Sequence, residues 1–228
     1  MMLALLGATA LGCASEVQSC DLATDEMVMW ATLTDSDGEI EIEIEFEVAN
    51  AEGAALALCP ERDHLTVNGT EASLVRALGQ LYYAVEFESA SEGSYEIVLE
   101  RDGAQSVAVE IEMPPIFELT APEPDSTHSR GAALEVVWAP AWPGGTMKLA
   151  IEDAIGSDCI EGLGVEYEVE DQGSFSVAGN ALVGGGAGSC GVSLALSRSV
   201  AIEYPAAFHE GGQISAFVRR RRPFTSVE

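Results

Sequence analysis

The sequence predicts an all-β protein built as two β-sandwich domains in tandem behind a cleaved signal peptide. Several short segments alternate apolar and polar residues with a period of two, which is the pattern of strands with one buried face. Turn residues separate these segments at hairpin spacing. The sequence carries no long helical period, and its best helical candidate, residues 73–78, is only about one and a half turns long.

The chain begins with an uncharged apolar leader. A membrane-spanning helix needs about 20 apolar residues, so this segment is too short to cross a bilayer. It has the length of the apolar region of a signal peptide, and we predict that residues 1–12 are removed on export. Two other interpretations stay open: an ordinary signal peptide that ends near Ala14, and a buried first strand of a cytosolic protein.

The end of the leader carries a second signal. Ala10, Leu11, Gly12 and Cys13 resemble the lipobox of bacterial lipoproteins. This resemblance implies cleavage before Cys13 and acylation there, with residues 13–19 as a tether; two or more acyl chains hold a protein stably in a membrane. Many inner-membrane lipoproteins carry aspartate where this chain has Ala14. The resemblance therefore implies an outer-membrane or cell-surface location, with a periplasmic or secreted protein as the alternative.

The five cysteines include no CxxC pair and no zinc-ligand spacing. With Cys13 assigned to lipidation, the other four are even in number, two in each half of the chain. Four cysteines allow three disulfide connectivities. We prefer Cys20 with Cys59 and Cys159 with Cys190, because each bridge then stays inside one domain. Disulfides indicate an oxidising compartment.

The first domain is predicted to span residues 20–115. Its strongest strand pattern is residues 40–48, where isoleucine, phenylalanine and valine alternate with glutamate. Residues 27–34 precede it across a hairpin turn at residues 35–38. Further strands are predicted at residues 83–88, 95–100 and 107–113. The tripeptide Gly93-Ser94-Tyr95 resembles the tyrosine-corner region of immunoglobulin-like folds.

A linker rich in proline and polar residues, 116–126, is predicted to separate a second domain at residues 127–228. Residues 134–140 (LEVVWAP) resemble the second strand of fibronectin type III domains, in which a tryptophan packs between the sheets. Further strands are predicted at residues 147–152, 165–170, 191–197 and 213–219. Together the halves resemble extracytoplasmic lipoproteins with tandem immunoglobulin-like domains, which often carry no assigned activity. The resemblance implies two immunoglobulin-like β-sandwiches.

The charge balance is strongly acidic. Ten lysines and arginines face 38 aspartates and glutamates, for a formal charge of -28. Nucleic-acid binders need a basic face, so the balance excludes that class of partner. It also argues against docking of the folded body on an anionic membrane surface, and it favours solubility and cation association.

Calcium is the one cofactor that the sequence suggests. Asp35 and Asp37 supply part of a calcium-loop pattern, although the third acidic position and the glutamate of an EF-hand are missing. A plain turn is the simpler interpretation. A second acidic loop set is formed by Asp153, Asp158, Glu161 and Asp171.

Other motifs point to no catalytic site. The histidines His64, His128 and His209 are isolated, and the GxGxxG match at Gly186, Gly188 and Gly191 precedes a strand pattern instead of opening a helix. The sequon Asn68-Gly69-Thr70 is interpreted as a turn. Residues 219–222 are four arginines that must alternate between the two faces of a strand, and we expect them to pair with the chain's own carboxylates; a contact to a partner or to lipid phosphate is the alternative.

The sequence therefore predicts a protein that is not an enzyme: a cell-envelope lipoprotein that acts as a structural or interaction module at the membrane surface. The alternative is a calcium-dependent adhesin or glycan-binding module. The membrane, through the lipid anchor, and a protein or glycan at the surface are the expected partners. The oligomeric state stays open.

Overall fold

The computed structural model describes residues 17–51, 54–77, 79–88, 93–154, 157, 160, 164–182 and 188–228. Two short 3-10 helices, Ser19–Asp21 and Thr24–Glu26, lie near its start. The strands are β1 (Val17–Gln18), β2 (Met27–Ser36), β3 (Glu39–Val48), β4 (Leu56–Ala57), β5 (Asp63–Val67), β6 (Thr70–Glu71), β7 (Ser73–Ala77), β8 (Gln80–Glu88), β9 (Ser94–Arg101), β10 (Val107–Glu112), β11 (Glu118–Ala121), β12 (Thr127–Ser129), β13 (Leu134–Ala139), β14 (Thr146–Asp153), β15 (Val165–Glu170), β16 (Ser174–Val177), β17 (Ser189–Ile202) and β18 (Gln213–Val227).

The first sandwich packs strands β2, β3, β8 and β7 against the sheet β10-β9-β5-β6. The period-two pattern of β3 explains its place, because every second side chain points into the core. Ile42 and Ile44 are completely buried there, whereas Glu41 is exposed. Tight turns connect the strands as predicted: Asp37 and Gly38, with φ of 56° and 99°, join β2 to β3.

The second sandwich packs strands β15, β14, β17 and β18 against the sheet β11-β13-β16. Trp138 of β13 is 2% exposed and lies in this second core, as the resemblance to fibronectin type III domains implies. The all-β fold class with immunoglobulin-like sandwiches is thus confirmed. The division into domains at residues 20–115 and 127–228 stays a prediction, but the structure has two separate hydrophobic cores.

The two sandwiches share one sheet. Strand β18 lies parallel to β2, with residues 213–219 in register with residues 30–36, so that the sheet runs without interruption through both sandwiches. Strands β17 and β18, with the loop between them, form a long hairpin that reaches from the second core into the first. Ile214 and Ala216 near its tip belong to the first core.

Two strand predictions were too short, and the one helical candidate was wrong in type. Residues 191–197 and 213–219 are only parts of β17 and β18, which run on to Ile202 and Val227. Residues 73–78 were the best helical candidate, but Ser73–Ala77 form strand β7, because pairing with β8 decides the local structure of so short a segment.

Candidate functional site

Charged residues occupy the point where the long hairpin crosses between the two cores. Along the core-facing side of β17, Leu196 belongs to the second core and Val200 packs against the first, and Arg198 lies between them. Its neighbour across the ladder on β18 is Val218, which in turn lies beside Asp35 at the end of β2. Arg220 is the next core-facing residue after Val218 along β18. We call this group the junction and include in it the partners described next, Asp171 and Phe117.

Arg198 is completely buried and ties three separate segments together. Its Nη2 lies 2.6 Å from Asp171 Oδ2 and donates to the Pro140 carbonyl at 2.9 Å, and its Nη1 donates to the Pro115 carbonyl. Asp171 Oδ1 in turn accepts a 2.7 Å hydrogen bond from Trp138 Nε1. One guanidinium therefore fixes the chain that enters the second sandwich, the loop after β13 and the loop after β15.

A second ion pair links the sandwiches directly. Arg220 Nη1 and Nη2 bind Asp35 Oδ1 and Oδ2 at 2.8 and 3.2 Å, a two-pronged arrangement that is among the stronger charged contacts. The ring of Phe117 lies 5.0 Å from the Arg198 guanidinium and 5.9 Å from that of Arg220. The aromatic face thus contacts both cations and joins the two ion pairs into one unit.

Burial lowers the pKa of the Arg198 guanidinium, and the Asp171 carboxylate opposes that shift. A guanidinium has an ordinary pKa far above physiological pH, so Arg198 stays protonated and the buried pair stays ionic. Two opposite charges that are held without water and bonded at several points tolerate little displacement. The junction is therefore suited to fixing the relative position of the two cores.

The tip of the long hairpin is anchored in the first core. Phe208 is 4% exposed and its ring lies 6.1 Å from that of Phe46. The backbone N–H of Met29 donates to the Tyr204 hydroxyl at 2.9 Å, and burial raises the pKa of that tyrosine. The backbone N–H of His209 donates to the Met27 carbonyl. The hairpin is thus held at its tip as well as at the junction.

The calcium candidates have other roles in the structure. Asp35 is bound by Arg220, and its Oδ1 also accepts the Gly38 N–H at 3.0 Å. Asp37 forms the turn, Asp171 belongs to the junction, and Asp153 accepts the Ile160 N–H. Asp158 and Glu161 lie outside the described residues. No group of three His, Cys, Asp or Glu side chains among the described residues is arranged to hold a metal ion.

Calcium and magnesium should therefore change the melting temperature of the protein equally. Either cation screens a formal charge of -28, and neither meets a preformed site at Asp35 because Arg220 already neutralises it. The measurement is thermal unfolding by circular dichroism in millimolar calcium or magnesium at matched ionic strength. A stabilisation produced by calcium alone would contradict the expectation and support the adhesin alternative.

The predicted disulfide Cys20–Cys59 is present, with 5.2 Å between its Cα atoms. Cys190 is also disulfide-bonded. Its expected partner Cys159 lies outside the described residues, so that pairing stays a prediction, as does lipidation of Cys13. The first bridge lies beside a buried polar cluster in which Arg101 binds Asp63 at 3.2 Å and donates to the backbone carbonyls of Ser19 and Leu22.

Replacing both Cys20 and Cys59 by alanine should lower the free energy of unfolding by about 2–4 kcal/mol. The bridge closes a loop with a sequence separation of 39, and opening it releases conformational entropy to the unfolded chain. Urea denaturation measures the change. A loss near zero would mean that the polar cluster around Arg101 alone holds the N-terminal segment.

The remaining motifs are dispersed. His64 lies on β5, His128 on β12 and His209 in the hairpin loop, and each histidine is on a different element. Of the GxGxxG match, Gly186 lies outside the described residues, and Gly191 is part of β17. Asn68 and Gly69 form the predicted turn, with φ of 48° and 76°.

The arginine run alternates between faces as predicted. Arg220 pairs with Asp35 and Arg222 donates to the Leu119 carbonyl, both on the inner side of β18. Arg219 and Arg221 point to the other side, which we call the outer face of the shared sheet. The prediction of pairing with the chain's own carboxylates therefore holds for Arg220.

The outer face of β3 carries a row of glutamates, and one of them, Glu43, has a shifted pKa. Burial raises its pKa, and the neighbouring charges of Glu41 and Glu45 raise it further. A carboxyl whose pKa is higher in the folded than in the unfolded state favours folding when protonated and opposes folding as the pH rises. Ionised Glu43 is therefore a destabilising group at neutral pH.

The substitution Glu43→Gln should raise the melting temperature at neutral pH, because it removes this charge. The gain should shrink as the pH falls through the raised pKa of Glu43 and should vanish below the ordinary glutamate pKa of about 4.3, where the side chain is uncharged in both the folded and the unfolded protein. Thermal melts across this range measure it. Glu96→Gln on β9 is the matched control, and an equal gain there at neutral pH would assign the effect to net charge.

Fold and junction together define an all-β protein of two immunoglobulin-like sandwiches joined by a shared sheet. No protein-family model matches the chain, and no curated protein matches it either. Among solved structures, it is similar to a Salmonella alpha-2-macroglobulin mutant, with 11% sequence identity and a TM-score of 0.26 over 96% of this chain, which spans only 16% of that protein.

Two further similarities are of the same size. One is to DIP-gamma IG1+IG2, at 8% identity over 89% of this chain and 98% of that one, with a TM-score of 0.23. The other is to the Yersinia pseudotuberculosis adhesin InvE, at 13% identity over 84% and 58%, also with a TM-score of 0.23. Similarities of this size do not support a functional assignment.

Neither helix of the described part of the chain has the length or apolar character needed to span a membrane.

Proposed function

We propose that the protein is a rigid, non-enzymatic spacer or interaction module of the bacterial cell envelope. The observation that carries the proposal is the sheet shared by the two sandwiches. Domains that meet only at a short linker move relative to each other by default. Here the pairing between β18 and β2, the anchor at Phe208 and the ion pair between Arg220 and Asp35 would all have to break before the sandwiches could move apart.

The disulfide and the charge support an extracytoplasmic role. Disulfides persist in oxidising compartments, so the Cys20–Cys59 bridge fits an exported protein. A body with a formal charge of -28 is repelled by anionic membrane surfaces. Anchored at Cys13, such a body would stand off the membrane with its surface available to partners, which is the arrangement that a spacer or interaction module needs.

Residual dipolar couplings of the backbone amides test the rigidity. In a weakly aligned sample, one alignment tensor should fit amides from β3 and β9 in the first sandwich together with those from β13 and β16 in the second. Two tensors that differ in magnitude or rhombicity would mean that the sandwiches move independently. That result would overturn the rigid-spacer proposal.

The mass of the protein extracted from its native membranes, without reduction, tests the anchor. A mass that fits residues 13–228 with acyl groups and two disulfides is expected. A protein without lipid, whether it starts after another cleavage site or at Met1, would replace the anchored spacer by a freely secreted module.

A further inference from the structure

The outer face of the shared sheet is divided into two halves of opposite hydrogen-bonding character, with β2 as the dividing line. On one side, β18 presents Gln213, Ser215, Phe217 and Arg219, none of which is acidic. On the other side, β3 presents Glu45, Glu43, Glu41 and Glu39. Each residue of the first set lies in the same lateral row as one glutamate of the second, with a β2 residue between them.

The division continues on the next strands. Beyond β18, the outward residues of β17 beside Phe217 and Arg219 are Ser199 and Ser197. Beyond β3, the outward residues of β8 beside Glu41 and Glu39 are Glu86 and Glu88. One half of the face therefore carries hydroxyl, amide and guanidinium groups together with the Phe217 ring, and the other half carries carboxylates.

We infer that this face binds a second copy of the chain. A two-fold axis that runs parallel to β2, between the two outer faces, places β18 of one copy opposite β3 of the other and keeps each row opposite itself. In three of the four rows a donor of β18 then meets the carboxylate of β3, and in the fourth row the ring of Phe217 lies opposite Glu41. Arg219 then faces Glu39 of the second copy, and Gln213 faces Glu45. Ser197 and Ser199 face Glu88 and Glu86, and no glutamate of these rows opposes another glutamate.

The residues on the axis suit close contact between two sheets. Thr32, Thr34 and Ser36 are small and would face their own counterparts across the roughly 10 Å that separates packed sheets. Trp30 is also on the axis; with 38% of its surface exposed, it is one of two large apolar side chains left exposed in the described part of the chain. In the pair, the two Trp30 rings bury each other.

The face is large enough for a dimer. Five strands at about 4.8 Å and eight residues at about 3.3 Å give about 24 by 26 Å, or roughly 600 Å² per copy. The total of about 1,200 Å² is at the lower end of standard protein interfaces. The formal charge of each copy opposes association, but at about 0.15 M salt this repulsion is screened beyond about 8 Å and the facing groups decide the outcome.

Sedimentation velocity of the purified full chain in about 0.15 M salt tests the inference. The wild type is compared with two charge-reversal variants and with the variant that combines them. The wild type should show a concentration-dependent equilibrium between monomer and dimer. Arg219→Glu and Glu39→Arg should each raise the dimer Kd by about 100-fold or more, because each single change places like charges opposite each other at both symmetric contacts. The double substitution should restore the dimer, because the charges are exchanged on both copies.

Glu110→Arg is the matched control. It changes the charge by the same amount as Glu39→Arg on an exposed strand position of the opposite sheet, and it should leave the dimer intact. A wild type that stays monomeric at all concentrations would overturn the inference. It would also be overturned by a dimer that both single variants leave unchanged, or by one that the double variant fails to restore. These outcomes are independent of the rigidity measured on the monomer.

Discussion

Replacing Phe208 by alanine should lower the free energy of unfolding by about 3–5 kcal/mol, the usual cost of removing a buried phenylalanine ring. Phe208 is 4% exposed and contacts Phe46 in the first core, although it belongs to the loop of a hairpin whose base lies in the second core. The truncation leaves a cavity in the first core. The loss should appear in urea denaturation as a lower midpoint.

The same variant should release the hairpin tip before the whole protein unfolds. Phe208 and the Met29–Tyr204 hydrogen bond hold the tip, so amide exchange should become faster for residues 30–34 of β2 and 213–217 of β18, which pair with one another. Phe224→Ala is the control, since Phe224 belongs to the same hairpin, on β18, but lies in the second core. It should cost similar stability and leave that local protection unchanged. Equal local exchange in both variants would show that Phe208 is not the anchor.

The parts of the fold that the sequence predicts well are those whose pattern is local. Residues 40–48 alternate strictly, and they form strand β3 with the glutamates outside. The turn residues between β2 and β3 require positive φ, and Asp37 and Gly38 adopt it. In both cases the local sequence determines the local structure: the period of two places alternate side chains on opposite faces of the strand, and the turn residues permit positive φ.

The length of the hairpin could not be predicted in the same way. Apolar alternation along β17 is interrupted by Arg198, which points inward although it is charged, and the predicted strand therefore ended at residue 197. The predicted second strand ended at residue 219, within the run of four arginines, although β18 continues through Pro223, a residue that cannot donate to a ladder. It is tolerated in β18 because β2 pairs with this strand up to Arg219 and β12 only from Thr225, so its missing N–H interrupts neither ladder.

The junction could not be predicted from the sequence, because the residues that pair in it are far apart along the chain. The local pattern marks Asp35 as a candidate calcium ligand and Asp171 as a loop acid, and nothing near either residue in the sequence indicates an arginine partner. The one usable signal is that Val200 and Ile202 continue the alternation of β17 beyond Arg198. That pattern points to a buried arginine, and a buried arginine requires a buried carboxylate.

Arg198→Ala should cost about 3–5 kcal/mol, because it leaves the Asp171 carboxylate buried without its counter-charge. The carbonyls of Pro115 and Pro140 lose their donor in the same change, and the ring of Phe117 loses one of the two cations beside it. Chemical denaturation measures the loss. Lys148→Ala is a suitable control, since its exposed pair with Glu166 should contribute less than about 1 kcal/mol.

A double-mutant cycle separates the ion pair from the other bonds of Arg198. Asp171→Asn removes the charge and keeps a side-chain oxygen for Trp138, and Arg198→Met keeps most of the volume. If the pair is the main interaction, the double variant should be more stable than the sum of the two single losses implies, since neither charge is then left alone. Additive losses would mean that Arg198 acts chiefly through the two proline carbonyls.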